Sequence, residues 1–451
     1  MADARVGEKL LTVDDFGAKG DGKADDTQAF RDYTAYLRKR EKENLPQRAW
    51  VLGFGRVYNV SDSIDLTGFH YFLFQGNGSQ IRSRARGYPV IDAAGTGSST
   101  FENLQIWAGD PKHAAICGLQ IGLISNGQPE PSMTLFNVWI DGWYSQAAFV
   151  NHESEIFSAY DLRITNRYVG PEWAYCVIED GIGHWPFYSK YIKNTRAVDV
   201  FGSFNENVFD KADLENSGNG PVVWISGGAA RHAYRRCYAA SFTKGKPVPI
   251  AVVCTKFKAG PTVTHGVVGL DWDVHTETSP SSVFLFSGTG AVNVSGLLVN
   301  DHLVQAEHLF AAEAGITSVK FCDARLNVPN WFSPAGAKQT VFDRPEIYTL
   351  QGDVCIHNRN RGVWVAPEQF VGRFRSDDLE GFKFGAGSYI AEDYRGSRIV
   401  TGSVEAGRIE GNGPVIFGNL PTRASGLAPG QLWNNHGVLS IAPGESPLKA
   451  N

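Results

Sequence analysis

Apolar segments of one kind recur along the first three quarters of this chain. "FENLQI" (101–106), "LFNVWI" (135–140) and "FSAYDLRI" (157–164) share a pattern, and their matching residues Leu104, Val138 and Leu162 stand 34 and 24 residues apart. Further on, "FLFSGTGAVNVSGLLVND" from Phe284 aligns with "LFAAEAGITSVKFCDARLN" from Leu309 at an offset of 25, which puts Val294 on Val319 and Ala291 on Ile316. Self-similarity at about 20–50 residues is the mark of a solenoid. One such unit cannot bury its own apolar face, but stacked units share a core and their strands become parallel sheets. Two Greek-key sandwiches would leave the drifting period unexplained. Glycine agrees: 50 of 451 residues, above the usual ~7% and without a collagen period, calls for many tight turns between short strands.

The rest of the composition excludes more than it selects. Hydrophobic residues at 43% and charged residues at 20% are ordinary. The net charge is −5, and the one short basic run, Arg38-Lys39-Arg40, is followed by Glu41 and Glu43. That is a solvated helix face, and no nucleic-acid partner is expected. No apolar run reaches the ~18 residues of a membrane span, so no membrane insertion is expected. The start, "MADARVGEKLL", has no apolar core of a signal peptide. Cysteines stand at 117, 176, 237, 254, 322 and 355, with no Cys-x-x-Cys pair. They read as buried free thiols, and neither a metal nor a cofactor is expected.

The stretch "VDDFGAKGDGKADDTQAF" (13–30) is rich in aspartate and glycine. Its spacing is not that of a calcium loop. It reads as a loop, then a helix start at Asp25-Asp26-Thr27 with Gln28 in a capping-box position. Ala29, Phe30, Tyr33 and Leu37 follow on one helical face.

This stretch resembles the opening motif of the pectate-lyase-like superfamily of right-handed parallel β-helices, in which the helix plugs the N-terminal end of the coil. "AWVLGFGRVYNVSDSIDL", with Tyr58-Asn59-Val60-Ser61, and "FLFQGNGSQIR", with Gly76 and Gly78, resemble the next rungs; Phe54-Gly55-Arg56 replaces the family's Pro-Gly turn. The resemblance runs from residue 13 to about 92 and implies an all-β, right-handed parallel β-helix capped by an N-terminal α-helix. The implied division is a loop and capping helix over 1–45, the β-helix over 46–335, and a β-rich region over 336–451 for trimerisation or glycan binding. Pro329, Pro334 and Gly336 mark that last boundary. The segment "LPTRASGLAPGQLWNNHGVLSIAP" (420–443) reads as a loop and a hairpin turning at 434–437. It resembles an element near the C-terminus of many phage tail fibre and tailspike proteins. Together the resemblances imply a homotrimeric protein of a virion tail or spike, made in the host cytoplasm and released by lysis. Its partners would be other virion proteins and a bacterial surface polysaccharide (capsule, exopolysaccharide or lipopolysaccharide), which many such spikes depolymerise. The alternative is a spike that holds its glycan without cutting it.

Glycoside hydrolysis needs two carboxyl groups across the scissile bond. In "VVGLDWDVHTE" (267–277), strand alternation turns Leu270, Trp272 and Val274 inward and places Asp271, Asp273, His275 and Glu277 on one outer face. Asp271, Asp273 and Glu277 are the first catalytic candidates, with His275 orienting the sugar. Asp210, Asp213 and Glu215 in "FDKADLENSGNG" are the runner-up, and Glu179, Asp180 and His184 a third set. His184 and Trp185 of "HWPFY", and Arg235, are candidate sugar contacts. The Asn-Thr-Asp, Asp-Asp, Gly-His-Gly and Arg-Ile-Lys motifs of the polygalacturonase type are absent, so pectin hydrolysis is not expected. "RHAYRRCY" (231–238) leaves an elimination mechanism open. On assembly the expectation is definite: light scattering at micromolar concentration should give three times the chain mass of 49.3 kDa, and a clean monomer would remove the trimer.

Overall fold

The computed structural model describes residues 10–43, 49–122, 132–152, 154, 156–180, 184–192, 207–226, 230–242, 248–254, 265–276, 282–288, 290–295, 298–299, 308–313, 316–322, 325–326, 339–343, 346–347, 353–355, 363–366, 373–375, 425, 432–435 and 438–441. The chain divides into two compact units, Met1–Arg395 and Gly396–Asn451. In the second, Leu432–Asn435 pairs antiparallel with Val438–Ile441, the hairpin expected from the sequence.

The first unit is a parallel β-helix. Its strands form two large parallel sheets, one of 19 and one of 9 strands among the described residues, and it carries a single described α-helix, Thr27–Lys42, here α1. The ladder of the larger sheet runs from Asp21–Asp25, paired with Val57–Val60, to Val363–Ala366. The larger sheet is creased lengthwise. Asn77, Asn103, Asn137, Asp161, Lys211 and Arg236 all have φ between 50 and 57° and stack rung on rung along the crease. Asparagine and aspartate tolerate this left-handed conformation because their short polar side chains bond locally. Asn137 Nδ2 donates to Asn103 Oδ1 at 2.9 Å, and Asn77 Nδ2 to the Leu52 carbonyl at 2.7 Å. Lys211 and Arg236 hold the same conformation without that chemistry, so the stack above and below imposes it.

Inside the coil, equivalent side chains lie on one another. Trp50, Phe74 and Phe101 form one ring column, with centroids 4.9 and 5.4 Å apart. Phe157, Phe209 and Tyr234 form a second, at 5.2 and 4.6 Å. These separations follow the ~4.8 Å spacing of hydrogen-bonded strands, and offset stacking adds roughly 0.5–1.5 kcal/mol per pair beyond burial. Phe30 and Tyr33 of α1 lie on Trp50, each 5.1 Å away.

Two local expectations need correction. Gln28 does not complete a capping box with Asp25: its amide donates to Asp32 at 2.8 Å. Asp26 occupies the N-cap without capping; its carboxylate instead accepts from the amides of Lys19 (2.6 Å) and Gly20 (3.4 Å). The late repeat also slides by two residues, since Val294 pairs with Phe321 and Ala291 with Ser318. A slip of two keeps every side chain on its own face, so apolar pattern alone does not detect it. Cys117, Cys176, Cys237 and Cys254 are buried free thiols, as expected.

Residues 184–192 cross the outside of the smaller sheet from rung to rung. Trp185 packs edge-on against Tyr175 (5.3 Å) and Trp224 (5.6 Å). Gln146 Nε2 donates to the Pro186 carbonyl at 3.2 Å, and Gln120 Nε2 to that of Tyr188 at 2.8 Å. Ser189 Oγ then donates to Asp92, and Lys190 pairs with Asp62. Burial pushes the Asp92 carboxyl up to about 6, against the hydrogen bonds from Ser189, Ala94 and Gln120 that favour its charged form.

Two predictions follow from this packing. Phe30 is 2% exposed, and Phe30→Asp should cost about 3–5 kcal/mol, the range for losing a large buried ring; an unchanged melting temperature would show that α1 does not seal anything. Asp92 keeps its proton longer in the folded chain than in the unfolded one, so its contribution is full below pH ~4 and lost as pH rises through ~6. The loss is roughly 3 kcal/mol. Melting curves of Asp92→Asn should therefore lack the decline expected of the wild type between about pH 4 and 6.

Candidate functional site

Downstream of the crease, each strand of the larger sheet turns one residue in and the next out. In Arg163–Asn166, Ile164 and Asn166 are buried while Arg163 and Thr165 are not; in Asp213–Asn216, Leu214 and Asn216 are buried while Asp213 and Glu215 are half-buried. Because the strands are parallel and in register, equivalent positions line up across rungs. One file runs Gln105, Trp139, Arg163, Asp213, Tyr238, Asp273. The next, two residues along each strand, runs Trp107, Asp141, Thr165, Glu215, Ala240, His275.

Trp139 is 41% exposed, an open ring on an otherwise polar face. Beside it in the other file, Arg167 clamps Asp141 with two hydrogen bonds, Nε to Oδ1 at 2.8 Å and Nη2 to Oδ2 at 3.0 Å. That carboxylate, and behind it the charge of Glu215, hold the Arg167 guanidinium in its charged form. Asp213 differs from its neighbours. Burial raises its carboxyl above the usual range, with only the Arg163 charge opposing, and its Oδ1 is sealed from solvent with no hydrogen-bond partner among the described residues. A buried carboxyl oxygen without a donor favours the protonated form, which is the state a general acid needs.

Members of the two leading candidate sets from the sequence thus fall into the same register files. The strand His265–Thr276 exists. It places Asp273 in the file of Asp213, two rungs on, and His275 in the file of Glu215. Asp271 pairs with Leu298 in the following rung. Glu277 lies outside the described residues. Asp210 sits across the crease and is engaged by Arg236, whose Nε lies 2.9 Å from its Oδ1; Arg235 is the exposed neighbour in register with it. The third set serves packing. Asp180 is buried, accepts from the amides of His184 (3.0 Å) and Trp185 (2.8 Å), and faces His152 at 3.7 Å. Glu179 is buried as well. His184 and Trp185 belong to the segment over the smaller sheet, where His184 lies 5.0 Å from the Trp224 ring. Tyr234, offered for an elimination mechanism, is fully buried inside the coil.

Sequence reasoning missed Trp139, Arg163 and Arg167. In "LFNVWID" Phe136 and Trp139 are three apart, so simple alternation cannot put both outside. The left-handed residue Asn137 inserts one extra residue at the crease and resets the phase: Leu135, Val138 and Ile140 are buried, whereas Phe136 (45%) and Trp139 (41%) are exposed. The asparagine between two apolar pairs was the available signal. Among the described residues no group of His, Cys, Asp and Glu is arranged to hold a metal ion.

No family model matches this sequence, and no curated protein does. Among solved structures the chain is similar to tailspike protein 3 of bacteriophage CBA120 (13% identity, TM-score 0.39, covering 83% of this chain and 54% of that one). It is also similar to the ORF18 protein of Geobacillus virus E2 (13%, 0.43, 96% and 85%). A third is the endo-xylogalacturonan hydrolase of Aspergillus tubingensis (11%, 0.38, 80% and 98%). The chain spans about half the length of the first of these. At such identities and scores the likeness is one of strand architecture, and the functional reading rests on the face just described.

Proposed function

We propose that this chain is a spike-type virion protein that binds a bacterial surface polysaccharide along the Trp139–Asp213 file and cuts it by glycoside hydrolysis. The observation that carries the reading is Asp213: a carboxyl biased toward its protonated form, with one unpartnered oxygen, two register positions from an exposed tryptophan. An exposed indole offers a flat apolar face to a sugar ring. Asp213 is the proton donor to the leaving oxygen. Asp273 is the second carboxylate. Two rungs separate the Cα positions by ~9.5 Å, and inverting pairs hold their water across carboxyl separations of about 6.5–9.5 Å. Glu215, attracted to Arg167, stands in the neighbouring file, and His275 takes the register position two rungs on from it. In this reading α1 plugs the N-terminal end of the coil, and three chains assemble in parallel.

The test is a reducing-end assay on bacterial capsule, exopolysaccharide and lipopolysaccharide, run beside ultraviolet detection of unsaturated uronate. Reducing ends alone are the expected result; unsaturated product would mean elimination instead, and retained glycan with neither signal would mean a non-catalytic spike. Asp213→Asn should leave melting temperature and glycan binding in place and lower turnover about a hundred- to ten-thousand-fold, the usual worth of general acid help. Wild-type turnover in this variant would place the acid elsewhere.

A further inference from the structure

Arg163 occupies the rung between Trp139 and Asp213. Other arginines of the region are engaged, Arg167 with Asp141 and Arg236 with Asp210. Arg163 is exposed and forms no ion pair or hydrogen bond among the described residues, although a carboxyl group stands one rung away. That rung is only ~4.8 Å from the next, and an arginine and an aspartate so placed ordinarily close into a bidentate pair. Here they stay apart: the exposed guanidinium has no protein acceptor among the described residues, and the buried Asp213 Oδ1 has no donor. Around the crease Arg235 adds a second exposed cation with no described partner. The face thus combines the open Trp139 ring, unmatched positive charge and a carboxyl biased toward neutrality.

We propose that Arg163 is the specificity residue of this face and that the glycan it selects is acidic, with a sugar carboxylate seated on the Arg163 guanidinium. The inference rests on the glycan-binding reading above and names its substrate class. A sugar unit stacked on Trp139 would bring its carboxylate one rung along, to the planar fork that matches carboxylate geometry bidentately. A hydroxyl or glycosidic oxygen of the adjoining unit would then lie at Asp213. A neutral glycan would offer the guanidinium no charged acceptor, so the charge-assisted pair is gained only with an acidic one.

The experiment uses the full chain against immobilised alginate, hyaluronate, polygalacturonate and xanthan, each in native and carboxyl-reduced form, with dextran as the neutral polymer. Reduction turns each uronate into the neutral sugar and leaves the backbone unchanged. The expected result is binding to at least one native acidic polymer, weakened at least tenfold by carboxyl reduction and to the same degree by Arg163→Gln, with partial recovery in Arg163→Lys. Melting temperatures should not move, because Arg163 is exposed. Trp139→Ala should weaken binding to native and reduced polymer alike. Binding that survives both carboxyl reduction and Arg163→Gln would overturn the acidic specificity while leaving glycan binding intact. Retention by none of the polymers would overturn both.

Discussion

The ~4.8 Å step between hydrogen-bonded parallel strands is the constraint on which the rest of this molecule depends. No single coil buries its own interior, so each must place its rings on those of the coil before it. The Trp50–Phe74–Phe101 and Phe157–Phe209–Tyr234 columns do this at centroid spacings of 4.6–5.4 Å. The same step fixes the crease. Lys211 and Arg236 adopt a left-handed backbone conformation that costs roughly 1–2 kcal/mol, and they adopt it because Asn137 and Asp161 set the bend in the rungs before them.

The inside determines the outside. With interior residues held rung over rung, outward residues fall into straight files without any contact among themselves. Trp139, Arg163, Asp213, Tyr238 and Asp273 come from five strands spread over 135 residues of chain, yet they lie in one line. A solenoid thereby offers an extended, rigid face to an extended polymer, and the chemistry of that face is written by one outward residue per coil. The fold tolerates this freedom because outward positions bear little of the packing energy. Its own structural acids are placed elsewhere: Asp26 serves loop amides, Asp92 holds the segment 184–192, and Asp180 holds the start of that segment.

Electrostatics separates closed pairs from open ones. Asp141 with Arg167, and Asp210 with Arg236, are closed pairs whose partly exposed geometry contributes on the order of 0–1 kcal/mol each. Asp213 and Arg163 are adjacent and open. The cost of the gap falls on the buried Asp213 Oδ1, which has no donor among the described residues, while the exposed Arg163 guanidinium is open to solvent.

The sequence by itself determined the architecture. Leu104, Val138 and Leu162 announced the coil, and the structure pairs Leu104 with Val138 at the expected offset; the hairpin after Leu432 and the buried cysteines were legible for the same reason, since turn chemistry and burial are local. The late repeat was legible only to within two residues, because a slip of two preserves the face, and the coils beyond Gln339 carry too little periodicity to be seen. The acidic residues Asp213, Asp273 and Glu215 could be picked out one strand at a time. Only the tertiary structure decided that Asp213 and Asp273 share a file two rungs apart, that Trp139 faces out, and that Asp180 and Trp185 pack the outside of the smaller sheet. Register between strands far apart in sequence is set by which interior side chains stack, and the left-handed residue at the crease resets the alternation within each strand; neither is written in any single stretch of the chain.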